Sequence, residues 1–343
     1  DAIQNTINEL EGTWALVIIY TKELDTYYIT RHGSPLLLGN SESHIICTSE
    51  SNGFVGLIYD YIALDNHDII KINNNKYSSL QKDLAKDYIV RKVPRDEILT
   101  SPNPYKHWLL KEIMEQPETI QKAYNNGGRI NESSIKLGGL DQLNKIAEYI
   151  EYVLLIGCGT SYNAAIIGEQ YFNSSERFIS VKSINACEFL KRDIPNINNK
   201  AKILCIFLSQ SGETIDVYNC LKICKEQGCV TLGVVNKVDS LISREVDCGV
   251  YLNAGSEISV ASTKSFTSML IVLSLIEMWF SNNFISIINK INNLRLLSNT
   301  ITHLLYDYKF LQAIDNVKDF IILNNINNIF LLKKNKLFPV ACD

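Results

Sequence analysis

LLIGCGTSYN, running from Leu154 to Asn163, decides how most of this chain folds. Its apolar half, with Tyr152 and Val153 before it, shows no alternation, as in a strand buried on both faces. Gly157 and Gly159 then permit a tight turn, and Thr160 and Ser161 open a helix with hydroxyls. The same grammar repeats outward. Strands are predicted at residues 178–181, 203–208, 230–235 and 249–252. Helices are predicted at 162–172, at 213–227 with Gly228 as a C-terminal cap, and at 263–280. Strands alternating with helices predict a doubly wound parallel sheet, with ligands at the strands' carboxyl ends.

Upstream the pattern changes. Short β-rich runs at 12–20, 26–30, 36–38, 44–47, 60–64 and 69–72 are separated by Gly33-Ser34-Pro35 and the Asp65–Asp68 turn. They predict one antiparallel layer, preceded by one helix and short of a partner for its apolar face. Residues 107–124 read as a helix that Pro117 ends or kinks. Beyond 282 the chain turns helical again, with a further strand expected at 327–332. It starts at Asp1 rather than Met and stops soon after an apolar run, so a fragment is expected.

Composition narrows the function. The 343 residues correspond to about two domains, at roughly 100–200 residues each. Net charge is −4 and no basic block stands out, which argues against nucleic-acid binding. The run MLIVLSLIEMWF, 269–280, contains Glu277 and falls short of the roughly 20 apolar residues of a membrane span, so it reads as a core helix. No signal peptide is visible, and nine Cys in this length do not make a disulfide scaffold. A cytoplasmic protein is expected.

Three segments follow strands and precede helices. In the first, 154–163, Tyr162 replaces the third glycine of a dinucleotide loop, which weighs against a nicotinamide enzyme. The second is LSQSGET, 208–214. Ser209, Ser211 and Thr214 offer hydroxyls at a helix start, without the lysine of a triphosphate loop. This suits a monophosphate, with plain capping by Ser211 as the alternative. The third, NAGSEISVASTKS at 253–265, is small, polar and long. It reads either as a site loop or as an ordinary connection capped by Ser262 or Thr263. Together the three suggest one polar cleft for a phosphorylated polyol.

The segments IGCGTSYNA, LSQSGETIDV and NAGSEISVASTKSFT resemble the signature loops of a sugar-isomerase (SIS) domain. HWLLKEIMEQPETI, 107–120, and RHGSPLLLG, 31–39, are similar to parts of the glutamine–fructose-6-phosphate aminotransferase (isomerizing) family. The resemblance implies an α/β chain: a partial N-terminal-nucleophile αββα sandwich followed by a doubly wound parallel-sheet SIS domain. It divides the chain into the end of a glutamine amidotransferase domain (1–90), a linker (91–104), a first SIS domain (105–282) and the start of a second (283–343). It implies glutamine-dependent conversion of fructose 6-phosphate to glucosamine 6-phosphate for UDP-N-acetylglucosamine synthesis. Glutamine is the nitrogen donor, and a homo-oligomer is implied. The family's sugar-phosphate contacts match Thr160, Ser161, Ser209, Gln210, Ser211, Thr214, Val260, Ala261 and Ser262. A non-catalytic SIS protein that senses sugar phosphates is the alternative.

The resemblance places the glutaminase cysteine and the isomerase acid–base residues outside this chain, so no catalytic residue is assigned and the fragment itself is expected to be inactive. Lys264 is not a substitute for them. Lys333-Lys334-Asn335 departs from the glycine turn that opens the family's second SIS domain. No cofactor or metal is expected. Cys220, Cys224 and Cys229 read as buried thiols, and Cys158 lacks a visible cationic neighbour. The five His are scattered and receive no role. Glu257 either faces the cleft or supports its loop.

Overall fold

The computed structural model describes residues 2–12, 14–34, 36–41, 43–49, 51–54, 56–74, 76–93 and 101–329. The expected second SIS start at 331–343, most of the 327–332 strand, and residues 94–100 of the expected linker lie outside them. The chain forms two compact units, residues 1–100 and 101–343.

The first unit contains α1 (Ala2–Glu9), β1 (Trp14–Ile19), β2 (Thr26–His32), β3 (Leu37–Asn40) and β4 (Ile45–Thr48). Then come β5 (Asp60–Ala63), β6 (Ile69–Asn73), β7 (Lys76–Ser79), α2 (Leu84–Asp87) and β8 (Arg91–Lys92). The single layer expected from the sequence is corrected to two antiparallel sheets, ordered β1-β2-β6-β7 and β4-β3-β5-β8. The chain switches sheets between β2 and β3, between β5 and β6 and again between β7 and β8, so these sequence neighbours do not pair. Ile29 and Ile70 of one sheet share a core with Leu38 and Ile62 of the other. Each sheet thereby supplies the other's cover. On the edge strand β1, Val17 and Ile19 remain 58% and 56% exposed. Strands β7 and β8 escape the sequence pattern because KYSS and RK are polar edge strands with no apolar alternation.

Arg31 fastens the Asp65–Asp68 turn to the end of β2. Its guanidinium donates to the carbonyls of Leu64 (3.0 Å) and Gly33 (3.2 Å) and to Asn66 Oδ1 (2.8 Å). The turn carries His67 back to His32, ring nitrogen to ring nitrogen at 2.7 Å, beside Trp14. Two of the five histidines therefore meet, although 35 residues separate them in the sequence.

The second unit opens with α3 (Trp108–Met114) and α4 (Gln116–Ala123). The expected helix breaks at Glu115, and Pro117 falls in the first turn of α4, where its missing N–H costs nothing. The sheet and its helices follow: β9 (Tyr152–Gly157), α5 (Thr160–Asn173), β10 (Ser180–Asn185), β11 (Ile203–Ser209) and α6 (Ile215–Glu226). After them come β12 (Val230–Val235), α7 (Leu241–Glu245), β13 (Cys248–Tyr251) and α8 (Lys264–Phe280). Strand order is β10-β9-β11-β12-β13, every pair parallel. β11 and β12 are buried throughout. Alternate residues serve opposite faces. Leu204, Ile206 and Leu208 pack with α5 and α8, while Cys205 and Phe207 pack with Val217 and Leu221 of α6. β10 starts two residues later than predicted because it is a polar edge strand, pinned where the Ser183 N–H donates to Glu169 Oε2.

The apolar run at 269–280 is a core helix, as expected. Among the described residues no helix is long and apolar enough to cross a membrane. The core continues past residue 282. On α9 (Phe284–Leu305), Ile287, Ile291 and Leu294 join it, and Ser298 donates to the Pro117 carbonyl at 2.8 Å. The last described helix, α10 (Tyr308–Leu323), has no buried residue.

Candidate functional site

The order β10-β9-β11 places a topological switch point between β9 and β11. The connection from β9 runs to one side of the sheet, and the chain returns through β11 to build the other. A crevice opens at the carboxyl ends of such a strand pair. The first two loops singled out in the sequence border it, one leaving β9 and the other leaving β11.

In the first loop, Gly159 precedes α5, Thr160 is half-buried and Ser161 is buried. In the second, helix α6 begins at Ile215, later than the capping alternative at Ser211 requires. Its N-cap is Thr214, whose side chain makes no cap bond. The first-turn N–H groups of α6 thus keep their pull on an anion. Ser211 Oγ instead accepts from the Glu213 N–H at 3.1 Å. Ser209 is buried, its hydroxyl 2.8 Å from Thr214 Oγ1 and accepting from the Gly212 N–H at 3.0 Å. Ser209 therefore shapes the loop from inside, while Gln210, Ser211 and Thr214 are half-buried at its surface.

Gly212 has φ +66 and sits against Ser240; a Cβ there would lie 2.0 Å from Ser240 Oγ. Its carbonyl accepts from the Ile242 N–H (2.9 Å), and Glu213 Oε1 accepts from the Leu241 N–H (3.0 Å). The short helix α7 thus backs the second loop.

The third loop leaves β13, two strands away from β11. Val260 is fully exposed, Ala261 exposed and Ser262 half-buried. Glu257 supports this loop, which resolves its two readings. Its Oε1 accepts from the N–H groups of Thr263 (2.9 Å) and Ser265 (3.2 Å). Its Oε2 accepts from Ser262 Oγ at 3.0 Å and from the Ser265 hydroxyl. This carboxylate occupies the start of α8, the place assigned in the sequence to a Ser262 or Thr263 cap. Lys264 is buried with its Nζ 2.7 Å from Glu115 Oε2, an ion pair remote from any nucleophilic role.

Three further residues that hold the site together are assigned no role from the sequence. Glu112, buried on α3, accepts at Oε1 from the N–H groups of Ile258 (2.6 Å) and Ser259 (3.1 Å). Gln116 accepts from Thr267 Oγ1 at 2.7 Å. Asn236, one residue beyond β12, joins the second loop to the third. Its side chain donates to the Gly255 carbonyl (2.6 Å) and accepts from the Ala254 N–H (2.9 Å). A polar residue ending an apolar strand was the available clue to Asn236. The charged pair Lys111-Glu112 inside the otherwise apolar WLLKEIM was the clue to Glu112.

Thiols sort by depth. Cys205, Cys220, Cys224, Cys229 and Cys248 are buried, in line with the structural reading of Cys220, Cys224 and Cys229. Burial pushes Cys220 and Cys248 up to about 12. Cys158 of the first loop has Cys187, rather than a cation, as its neighbour. Hydrogen bonding to Cys158, then desolvation and the Asp216 carboxylate, push Cys187 up to about 11. Cys158, Cys187 and Asp216 are the donor cluster with metal-ligand spacing among the described residues.

Residues 151–277 match the SIS domain family, so fold and loops together define an SIS-domain protein. A probable glutamine–fructose-6-phosphate aminotransferase (isomerizing) of Acanthamoeba polyphaga mimivirus is 37% identical over 273 residues, covering 78% of this chain and 43% of that protein. The Chlorobaculum tepidum glutamine–fructose-6-phosphate aminotransferase (isomerizing) is 29% identical over 353 residues, covering 100% of this chain and 55% of that protein. Among solved structures, the C-terminal domain of glucosamine-fructose-6-phosphate aminotransferase from Francisella tularensis superposes with a TM-score of 0.60 at 27% identity. The match covers 70% of this chain and 66% of that one. The chain belongs to the glutamine–fructose-6-phosphate aminotransferase family. It spans about half the length of the curated relatives it matches.

Proposed function

We propose that this chain supplies the sugar-phosphate cradle for glutamine-dependent conversion of fructose 6-phosphate to glucosamine 6-phosphate. In this reading the α6 N-terminus, Ser209, Gln210, Ser211 and Thr214 hold the phosphate, with Ser209 acting through Thr214. Thr160 and Ser161 border the sugar from the first loop, and Val260, Ala261 and Ser262 from the third. The observation that carries the reading is the helix start at Thr214, left without a side-chain cap at the switch point of a parallel sheet. Family membership supports the choice of sugar. The nitrogen source is glutamine, and the amidotransferase step belongs to the same reading.

Calorimetry with fructose 6-phosphate tests the cradle. The chain is expected to bind it, and Ser211→Ala to weaken binding about tenfold, the worth of one hydrogen bond to a charged group. Equal affinity in both proteins refutes the assignment. For the full-length gene product, chromogenic detection of glucosamine 6-phosphate from glutamine and fructose 6-phosphate separates an aminotransferase from a non-catalytic sugar-phosphate sensor. We further propose a cytoplasmic homo-oligomer. The exposed Leu311, Ile314 and Val317 of α10 favour association, which sedimentation velocity would reveal as a mass above 38.8 kDa.

A further inference from the structure

Strands β9 and β10 run parallel in register, Ile156 opposite Ile184 and Gly157 opposite Asn185. Each strand then releases a cysteine. Cys158 is the first residue after β9. Cys187 lies in the 3-10 turn Ala186–Glu188 after β10, its N–H donating to Asn185 Oδ1 at 3.3 Å. Neighbouring strands lie about 4.8 Å apart, within the range of backbone separations that a disulfide spans. The two Sγ atoms are already 3.4 Å apart. Asp216, in the first turn of α6, accepts from the Cys187 thiol at 3.5 Å. Cys187 is exposed and Cys158 half-buried, so a small solute reaches this pair and not the buried thiols.

We propose that Cys158 and Cys187 are an oxidative modification site, closing to a reversible disulfide with hydrogen peroxide as oxidant. The Cys158 sulfur attacks the peroxide, since Cys187 is the thiol held protonated beside Asp216; the O–O bond breaks, and a sulfenic acid and one water are left. The second sulfur attacks the sulfenic sulfur, forms the S–S bond and expels a second water with its own proton. Two thiols are oxidised by two electrons and one peroxide is reduced to two waters. The bond ties the loop that carries Thr160 and Ser161 to the exit of β10. Its formation does not depend on the sugar-phosphate reading.

The whole chain is treated with limiting hydrogen peroxide, alkylated, digested and mapped by mass spectrometry. The expected product is one cross-linked peptide containing Cys158 and Cys187, about 2 Da lighter than the two thiol peptides together. Dithiothreitol restores both thiols. Cys187→Ser abolishes the cross-link with an unchanged melting temperature. Recovery of both cysteines as separate alkylated or over-oxidised peptides overturns the proposal. So does stoichiometric zinc in the purified chain that blocks cross-linking, because the cluster is then a metal site.

Discussion

The backbone N–H of Asn236 donates to the carbonyl of Gln210 across 3.1 Å, so the residue that follows β12 grips the loop that leaves β11. The Asn236 side chain reaches the other way, to Ala254 and Gly255. Asn236→Ala keeps the backbone bond and removes both side-chain bonds. The expected cost is about 1–3 kcal/mol, from two hydrogen bonds of about 0.5–1.5 kcal/mol each. Urea unfolding of the two proteins measures it, and an unchanged midpoint contradicts the bridging role.

Glu257 organises the third loop through one carboxylate. Glu257→Ala leaves the N–H groups of Thr263 and Ser265 without that acceptor. A loss of about 2–4 kcal/mol is expected, since bonds to a charged group contribute about 1.5–3 kcal/mol each and water recovers part of it. Hydrogen exchange should rise first across residues 258–266. Uniform exchange across the sheet instead points to global weakening and away from a local anchor.

Gly212 and Gly228 both have positive φ but different surroundings. A Cβ on Gly212 meets Ser240 Oγ at 2.0 Å, whereas one on Gly228 has its nearest neighbour, the Lys200 Cβ, at 4.0 Å. Gly228→Ala should cost only the left-handed strain, about 1–2 kcal/mol. Gly212→Ala adds a clash that must displace either α7 or the second loop, so fructose 6-phosphate binding should fall much further than stability does. Full affinity in Gly212→Ala would be the contrary result in calorimetry.

Glu277 is buried on α8. Its Oε2 pairs with Lys290 Nζ at 2.6 Å, while its Oε1 has no partner. Desolvation raises its pKa in spite of the lysine. The folded state therefore holds this proton over a window that opens near the ordinary carboxylate value of 4.5 and extends upward. Stability falls as pH rises through that window, because the unfolded state binds fewer protons there. Glu277→Gln cannot titrate, so its urea midpoint should fall less than that of the wild type as pH is raised from 4.5. Parallel pH profiles for the two proteins would disprove the account.

The sequence by itself determined the parallel sheet and its three loops. Strand runs such as ILCIFL are apolar without alternation, which only burial on both faces explains, and glycines and hydroxyls mark where each strand stops. These are local signals, legible within about ten residues. Tertiary structure alone decided the rest, because those decisions join residues far apart. The polar strand Lys76–Ser79 is a strand only because β6 lies beside it. The amino-terminal strands divide into two sheets only because the chain crosses between them at β2–β3, β5–β6 and β7–β8. Glu112 secures the third loop from more than a hundred residues away, and Ser209 lies buried with its hydroxyl against Thr214. A carboxylate or hydroxyl shows its chemistry in the sequence. Which group it bonds depends on the donors and acceptors that folding leaves without water, and only the packed chain specifies those.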